Sequence, residues 1–549
     1  MRCFWKTSLL SAALALAAPT GGVFAQQYAA QEYPAQQYYT AQQNYTAQQN
    51  TTAQQYQAGT PTDDLRARLD AQQAEIQALR QQMQTNGNVT SNASFETMAL
   101  DANSAAEAAP KGYEVGSDLK MSARWNPANG VTFETANKDF VSHIGCRFQL
   151  DFVGWNESAG LTTRPFGTLE DGAFFRRIRP SWDGTAYEVM EWNVELALEQ
   201  TQNNVPNVDS VWVGIKDIPF VNTVRIGHMH LNQGLEGDMS ASSKAMTFME
   251  RAAYTDAFYE NLGTGFFVGN HIAEDHVTWS AMAYRQDNDT DANGNNTGAD
   301  FNNGKWGYTG RLTVLPFYQD DGRHMLHLGV SGTYRDAEIP ALGAAPNSQF
   351  RARPQMRDQI GATPLGNSNR LVDTGAINCK TNTVIGTELL YVLGPASLQA
   401  EYAWASMNQA TGAKVNTQNS NVWFSGGYVQ GSYFLTGENR IYDRRFGVLG
   451  TDYIATPYTP FWLVKDASGD CCWGSGAWEV AARFSHLTLD NQYLVSQGGE
   501  TDAVEFGVNW YLNTNLKLQF EYLHQTCFGG GPNGDGYVNG FGVETQFFF

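Results

Sequence analysis

Beyond residue 25 the chain has no run of about twenty apolar residues, and so no helix that could cross a membrane. Basic charge is scarce: 35 Lys and Arg stand against 55 Asp and Glu, a net charge of −20, which argues against nucleic acid as a partner. Six cysteines show neither a CxxC pair nor a zinc spacing, which leaves no sequence case for a metal site. Gly-x-Ser-x-Gly, HExxH and the phosphate-cradling loop are all missing. Proline is scarce at 18, whereas glycine is abundant at 54 and aromatics reach 13%. At 549 residues the chain is large for one soluble domain but suits one large barrel.

What is present is alternation. In the last forty-odd residues, Leu516, Leu518, Phe520 and Tyr522 share one parity, while Lys517, Gln519 and Glu521 share the other. Phe506, Val508 and Trp510 alternate with Glu505, Gly507 and Asn509. The chain ends with Phe541, Val543, Phe547 and Phe549 on one face. Similar ribbons recur upstream around Ile144–Phe152, Trp192–Leu198, Trp306–Val314, Leu326–Tyr334, Leu398–Trp404 and Trp478–Phe484. A period of two with one greasy face suits a sheet on a soluble core or a membrane barrel, apolar toward lipid and polar toward water. The aromatic terminus favours the barrel. Each strand needs only 9–11 residues to cross, so hydropathy misses it. Short links such as 393–397 and 512–515 contrast with long polar ones at 287–304 and 336–380, the asymmetry of outer-membrane barrels. The roughly 440 residues after Pro110 allow about sixteen strands, a size that keeps a water-filled lumen. The expected fold is an all-β, transmembrane, antiparallel barrel of about sixteen strands.

Residues 1–25 read as a secretory signal, with Arg2 and Lys6 before an apolar core and small residues Val23 and Ala25 at the cleavage site. Residues 26–60 repeat a Tyr/Thr-Ala-Gln-Gln unit and are too polar to order themselves, a disordered tether. Within 61–85, Leu65, Leu69, Gln72, Ile76, Leu79 and Met83 keep heptad spacing, a short coiled coil that would self-associate. Residues 86–112 are a linker and 113–549 the barrel. The adjacent Cys471 and Cys472 are expected as a loop disulfide or plain thiols.

Several stretches resemble the phosphate-selective porin O and P family. They are Arg176-Arg177-Ile178-Arg179 with Gly184, Val224-Arg-Ile-Gly227 running to Leu235-Glu236, and Met246-Thr-Phe-Met-Glu-Arg251. Further on come Tyr433-Phe-Leu-Thr-Gly-Glu-Asn-Arg-Ile-Tyr442, Gly476-Ala-Trp-Glu-Val-Ala-Ala-Arg-Phe-Ser485 and Gly507-Val-Asn-Trp-Tyr-Leu-Asn513. The resemblance covers roughly 139–549. It implies a trimeric, sixteen-stranded outer-membrane channel with a loop folded into the lumen, here about 236–251. It carries Lys244 and Arg251 to that constriction.

A pore selects by width and by the charges at its narrow part. Parity puts Arg147, Arg177, Arg179, Arg225, Arg311, Arg335 and Arg483 on the polar, lumen-facing side, where stacked guanidinium groups would pass an anion stepwise. The alternative for each is a wall brace, since Asp151, Glu195, Glu199, Glu401, Glu479, Glu505 and Glu521 share that face. His228 and His230 share the parity of Val224 and Ile226, which places them in the lipid-facing row, at the interface rather than on a metal.

The function expected is a water-filled porin for small hydrophilic solutes, with phosphate and other anions as the leading permeants. It needs no cofactor and no enzymatic activity. Expected partners are the lipid bilayer, lipopolysaccharide, the solutes themselves and two further copies in a homotrimer. Contact with the cell wall through 26–85 is an expectation that no residue there demands, and the N-terminal extension would be periplasmic. The rivals are a general or differently selective porin, a barrel hydrolase, and an envelope anchor working through its N-terminal extension.

Overall fold

The computed structural model describes residues 115–126, 130–162, 168–199, 207–237, 239, 245–285, 305–337, 348–357, 370–450, 462–465, 471–529 and 535–549. The expected signal, tether and coiled coil, with Lys244 and the side chains of Cys471 and Cys472, lie outside the description.

Eighteen strands form one sheet. Two of them, Met121–Asn126 and Gly130–Thr135, make an appended hairpin, and the other sixteen close into a ring. The ring runs Phe140–Glu157, Gly172–Ala186, Met190–Ala197, Asn207–Ile218, Asn222–His230, Leu262–Ile272, Val277–Arg285 and Trp306–Gln319. It continues through His324–Asp336, Thr381–Leu393, Ala396–Ala410, Ser420–Phe434, Ala477–Thr488, Glu500–Tyr511, Leu516–Phe528 and Gly536–Phe548. Every neighbour pair is antiparallel. Closure comes from the last strand on the first, with Val543 opposite Phe152 and Glu544 opposite Asp151. Closure matters because an open edge would leave unpaired N–H and C=O groups in hydrocarbon.

Burial is inverted relative to a soluble protein. Phe541 is 61% exposed, Phe506 55% and Trp182 51%, whereas Lys517, Glu505 and Glu544 are wholly buried. The greasy parity therefore faces outward and the polar parity inward. Near the turn end, Trp478 and Trp510 stack at 4.9 Å with both indole N–H groups donated to the Ser475 carbonyl, one wall of an aromatic girdle. Arginine in place of Phe506, midway along its strand, should cost about 2–4 kcal/mol of folding free energy, read by equilibrium refolding into lipid vesicles.

The hairpin docks on the edge of Phe140–Glu157 that the closing strand uses further along, with Val131 opposite Ile144. It thus continues the wall beneath the C-terminus. Phe549 exchanges backbone hydrogen bonds with Cys146 at 2.9 and 3.1 Å and stacks on Trp125 at 5.4 Å. Gly130, at φ +76°, faces the Phe549 carbonyl so closely that a Cβ would sit 2.6 Å from it. The aromatic terminus is half-buried against its own chain.

One long connection departs from the expected asymmetry. Residues 435–476 join Ser420–Phe434 to Ala477–Thr488 at the end where the other described turns are short. Part of this segment, Tyr442–Asp443 paired with Val448–Leu449, packs inside the barrel: Tyr442 and Leu449 meet Leu235, Leu315, Met325, Leu390 and Val392.

Candidate functional site

Among the described residues, three segments pack inside the ring: 231–237 with 245–261, the connection containing 348–357 and 370–380, and the 435–450 part of the long turn-end segment. The first is longer than the 236–251 implied by resemblance, and it ends in the helix Ala253–Phe258. It starts at the end of Asn222–His230 and crosses to the far wall, where side chains of the polar parity hold its backbone. Glu401 accepts the N–H groups of Leu235 at 2.6 Å and Glu236 at 2.8 Å, and the Tyr428 hydroxyl at 2.7 Å. Glu521 accepts the Met249 N–H at 2.8 Å. Lys517 donates to the Met246 carbonyl at 2.8 Å, while Asn509 and Gln519 donate to that of Thr247.

The stretches that carry the family resemblance meet at this loop. Arg440 of the Leu-Thr-Gly-Glu-Asn-Arg stretch donates to the Ala245 carbonyl at 3.3 Å and to the Thr247 hydroxyl at 2.5 Å. Glu479 of Gly-Ala-Trp-Glu accepts Asn509 at 2.9 Å and the Tyr511 hydroxyl at 2.8 Å, orienting the amide that holds Thr247.

The arginines singled out in the sequence lie as follows. Arg483 donates to Glu505 and, at 2.9 Å, to Glu236 in the loop, and it covers the Phe248 ring at 4.5 Å. Arg311 makes a forked pair with Glu388 at 2.9 and 2.6 Å and donates to the Gly447 carbonyl of the inward turn. Arg335 meets Glu260 at 3.0 Å and the Phe258 carbonyl at 3.1 Å. Arg179 meets Glu199 at 2.8 Å and Asp209 at 2.7 Å; Arg147 meets Glu195. Arg225 meets Glu191 at 2.7 Å and lies over the Trp212 ring at 4.2 Å. Arg177 donates to Gln149 at 2.7 Å, and Arg251 donates to the Glu236 carbonyl at 2.7 Å. Arg177, Arg311, Arg335 and Arg483 are buried because the inward segments cover them. His228 bonds Thr264 at 2.9 Å and His230 bonds Asp209 at 3.1 Å.

Four arginines that parity did not single out form a cluster of charge around Asp256 and Glu250. Arg353 at 2.9 Å and Arg370 at 2.8 Å grip Asp256 on the short helix, with Arg357 at 3.9 Å. Arg176 and Arg357 share Glu250. Arg176 was hidden by a bulge: the register of Phe140–Glu157 against Gly172–Ala186 shifts between Gln149 and Leu150, so Arg176 and Arg177 both turn inward. The doublet itself was the available signal, since two adjacent arginines cannot both face water in a regular strand. Arg353, Arg357 and Arg370 lie in a long polar connection that the sequence reading assigned only as a loop.

Four guanidinium groups thus share two carboxylates. Burial alone would raise the carboxyls of Asp256 and Glu250, but the adjacent guanidinium groups outweigh it and hold both below the usual carboxylate range. Burial pushes Arg353 and Arg370 down, with Arg357 repelling both; Arg370 falls to about 10. The cluster carries more positive charge than its own carboxylates neutralise.

A model of the phosphate-selective porin O and P family matches residues 143–549. The chain belongs to that family. Porin O of Pseudomonas aeruginosa is 28% identical over 456 residues, 79% of this chain and 93% of the relative. An uncharacterized protein of Caulobacter vibrioides is 28% identical over 397 residues, 71% of this chain and 70% of the relative. Among solved structures, a loop-deletion mutant of OmpT, an outer membrane protein of Vibrio cholerae, aligns with TM-score 0.43 at 11% identity, covering 75% of this chain and all of that one. Porin membership accounts for the inverted burial. This porin is an integral outer-membrane channel, and its lumen is the functional site.

Proposed function

We propose that this porin passes small anions, phosphate foremost, through the passage that loop 231–261 and the Arg353–Arg357–Arg370 cluster leave open. The observation that carries this reading is the excess of guanidinium over carboxylate in the cluster around Asp256 and Glu250, four groups against two. An anion leaving bulk water needs replacement donors and positive charge, and these groups supply both. The guanidinium groups keep 13–23% of their side-chain surface exposed, within reach of a solute. Purified protein in planar bilayers under a KCl gradient should give an anion-selective reversal potential, with chloride current reduced by added phosphate. A cation preference without phosphate block would remove the reading.

The competing porin reading is a general diffusion pore, favoured by one observation: Arg147, Arg179, Arg225, Arg311 and Arg483 on the wall are all matched to carboxylates. Phosphate block of the chloride current separates the two, since a general pore should lack it. Asp256 has a depressed folded value, so its contribution to loop stability is complete above the unfolded value near 3.9 and is lost as pH falls through the folded one. The part of the thermal stability that Asp256 contributes should therefore stay flat from pH 8 to about pH 5. Below about pH 4 that part should fall away and the loop should loosen, read as a lower thermal midpoint.

Assembly as a trimer is supported by the height of the wall. Met190–Ala197 has 8 residues, short of the 9–11 that a tilted strand needs to cross, so a neighbouring copy would shield that side from lipid. A periplasmic N-terminal extension, reaching the cell wall through 26–85, is supported by the described chain entering the barrel at the end with the short turns, beside Phe549. Lipopolysaccharide around the opposite rim completes the reading.

A further inference from the structure

Between Arg353 and Arg357 stands a buried amide that joins one inward segment both to the wall and to the other. Gln355 is 2% exposed. Its Nε2 donates to Glu505 at 2.7 Å, and its backbone N–H donates to the Gln525 side chain at 3.0 Å. Its Oε1 accepts the Ser485 hydroxyl and, at 3.1 Å, the Ala253 N–H. Ser485, Glu505 and Gln525 stand on three successive strands of the wall, whereas Ala253 opens the short helix that carries Asp256. Both sides are shaped for this contact. Ser485 and Gln525 flank the small Ala503 on one rung, and Met356 packs in a buried cluster with Ala503, Leu523 and Met249. The helix has no side-chain cap of its own, so the Ala253 N–H depends on an acceptor from elsewhere. A primary amide gives Glu505 a donor and Ala253 an acceptor at once; a glutamate here would oppose the Glu505 carboxylate.

We propose that Gln355 is a positioning residue for anion selection: it fixes the segment bearing Arg353 and Arg357 against both the wall and the Asp256 helix, so that the arginines stand at a set distance from a passing anion. The assignment rests on the anion reading above and adds to it a residue that acts through others. Arg353 is tied to Asp256 twice, through its guanidinium and through its backbone N–H, each at 2.9 Å. Movement of the helix therefore carries the guanidinium with it. A guanidinium donor meets an anion only at hydrogen-bond distance, so a drift of about 1 Å breaks the contact while the charge stays in the lumen. Loss of the amide thus separates two properties that loss of an arginine removes together. Preference for anions over cations, which follows charge, persists; grip on a particular anion, which follows geometry, is lost.

The test measures reversal potential in a KCl gradient and half-block of chloride current by inorganic phosphate, on the purified full chain and on Gln355→Met, which keeps the volume and removes three of the four bonds. Gln355→Met should stay anion-selective while its half-blocking phosphate concentration rises about tenfold. Arg353→Gln should weaken block about tenfold in the parent but less than about threefold in the Gln355→Met background, because the guanidinium is already out of place. A residue that serves stability alone would lower the thermal midpoint, leave block in the folded channel at the parent's value, and leave the Arg353→Gln effect whole; either of the last two results overturns the assignment. Where Gln355→Met does not fold, Gln355→Asn decides: it keeps a buried amide but is one methylene too short to reach wall and helix together, and should weaken block about threefold. Unchanged block in folded Gln355→Asn overturns the assignment as well. A parent that prefers cations overturns the anion reading itself, and the role of Gln355 with it.

Discussion

Replacing Arg353, Arg357 and Arg370 together by glutamine should convert an anion-selective channel into one that prefers cations. The three side chains supply most of the charge around Asp256 and part of that around Glu250. Their removal leaves two carboxylates on the inward segments with Arg176 as the remaining partner of Glu250. Hydrogen bonds to charged groups contribute about 1.5–3 kcal/mol, so losing even one anion contact lowers affinity for the anion about tenfold or more. The exposed carboxylates then favour potassium. The barrel should survive, since none of the three residues belongs to the sixteen-strand ring. Reversal potential in a KCl gradient is the measurement, with heat-modifiable migration as the check on folding. If the triple variant folds and keeps the parent's anion preference, the cluster does not select.

Glutamate 401 is the second position where a single change should have a large effect. Its carboxylate accepts three hydrogen bonds, two of them from loop backbone, and the residue is 3% exposed. Glu401→Ala strands the Leu235 and Glu236 N–H groups and the Tyr428 hydroxyl in a dry interior. At about 1–3 kcal/mol for each of the two loop N–H groups, the loop's attachment at this end weakens by about 2–6 kcal/mol. The strand ladders around Ala396–Ala410 are untouched, so the wall persists while the loop moves. Larger and noisier single-channel conductance with weakened selectivity is expected. Glu401→Gln keeps one acceptor oxygen of the same shape and should show a smaller effect. Equal and small effects from both variants would mean that Glu521, Lys517, Asn509 and Gln519 suffice to hold the loop.

Much of the wall could be read without coordinates, because a lipid-facing strand must alternate. Phe506, Leu312, Val330 and Trp404 fall on the outer side as their parity requires. Alternation failed at Arg176, where one extra residue in the ladder reversed the parity rule locally. It was also silent on everything inside the ring. A loop's course has no period, and whether a polar parity meets water or protein depends on what other segments fill the lumen. Arg311 and Arg483 were correctly read as polar-side residues, yet only the inward segments 231–261 and 435–450 reveal why they are covered.

The sequence by itself determined the membrane architecture: period-two ribbons, an aromatic terminus, and the motif stretches of the porin family, all local or short-range signals. Tertiary structure alone decided which charges are spent on bracing and which remain for a solute. That division depends on pairings between residues far apart in sequence, such as Met249 with Glu521 at 272 positions and Gln149 with Glu544 at 395, and the net charge at any point of the lumen is fixed only once those partners have met.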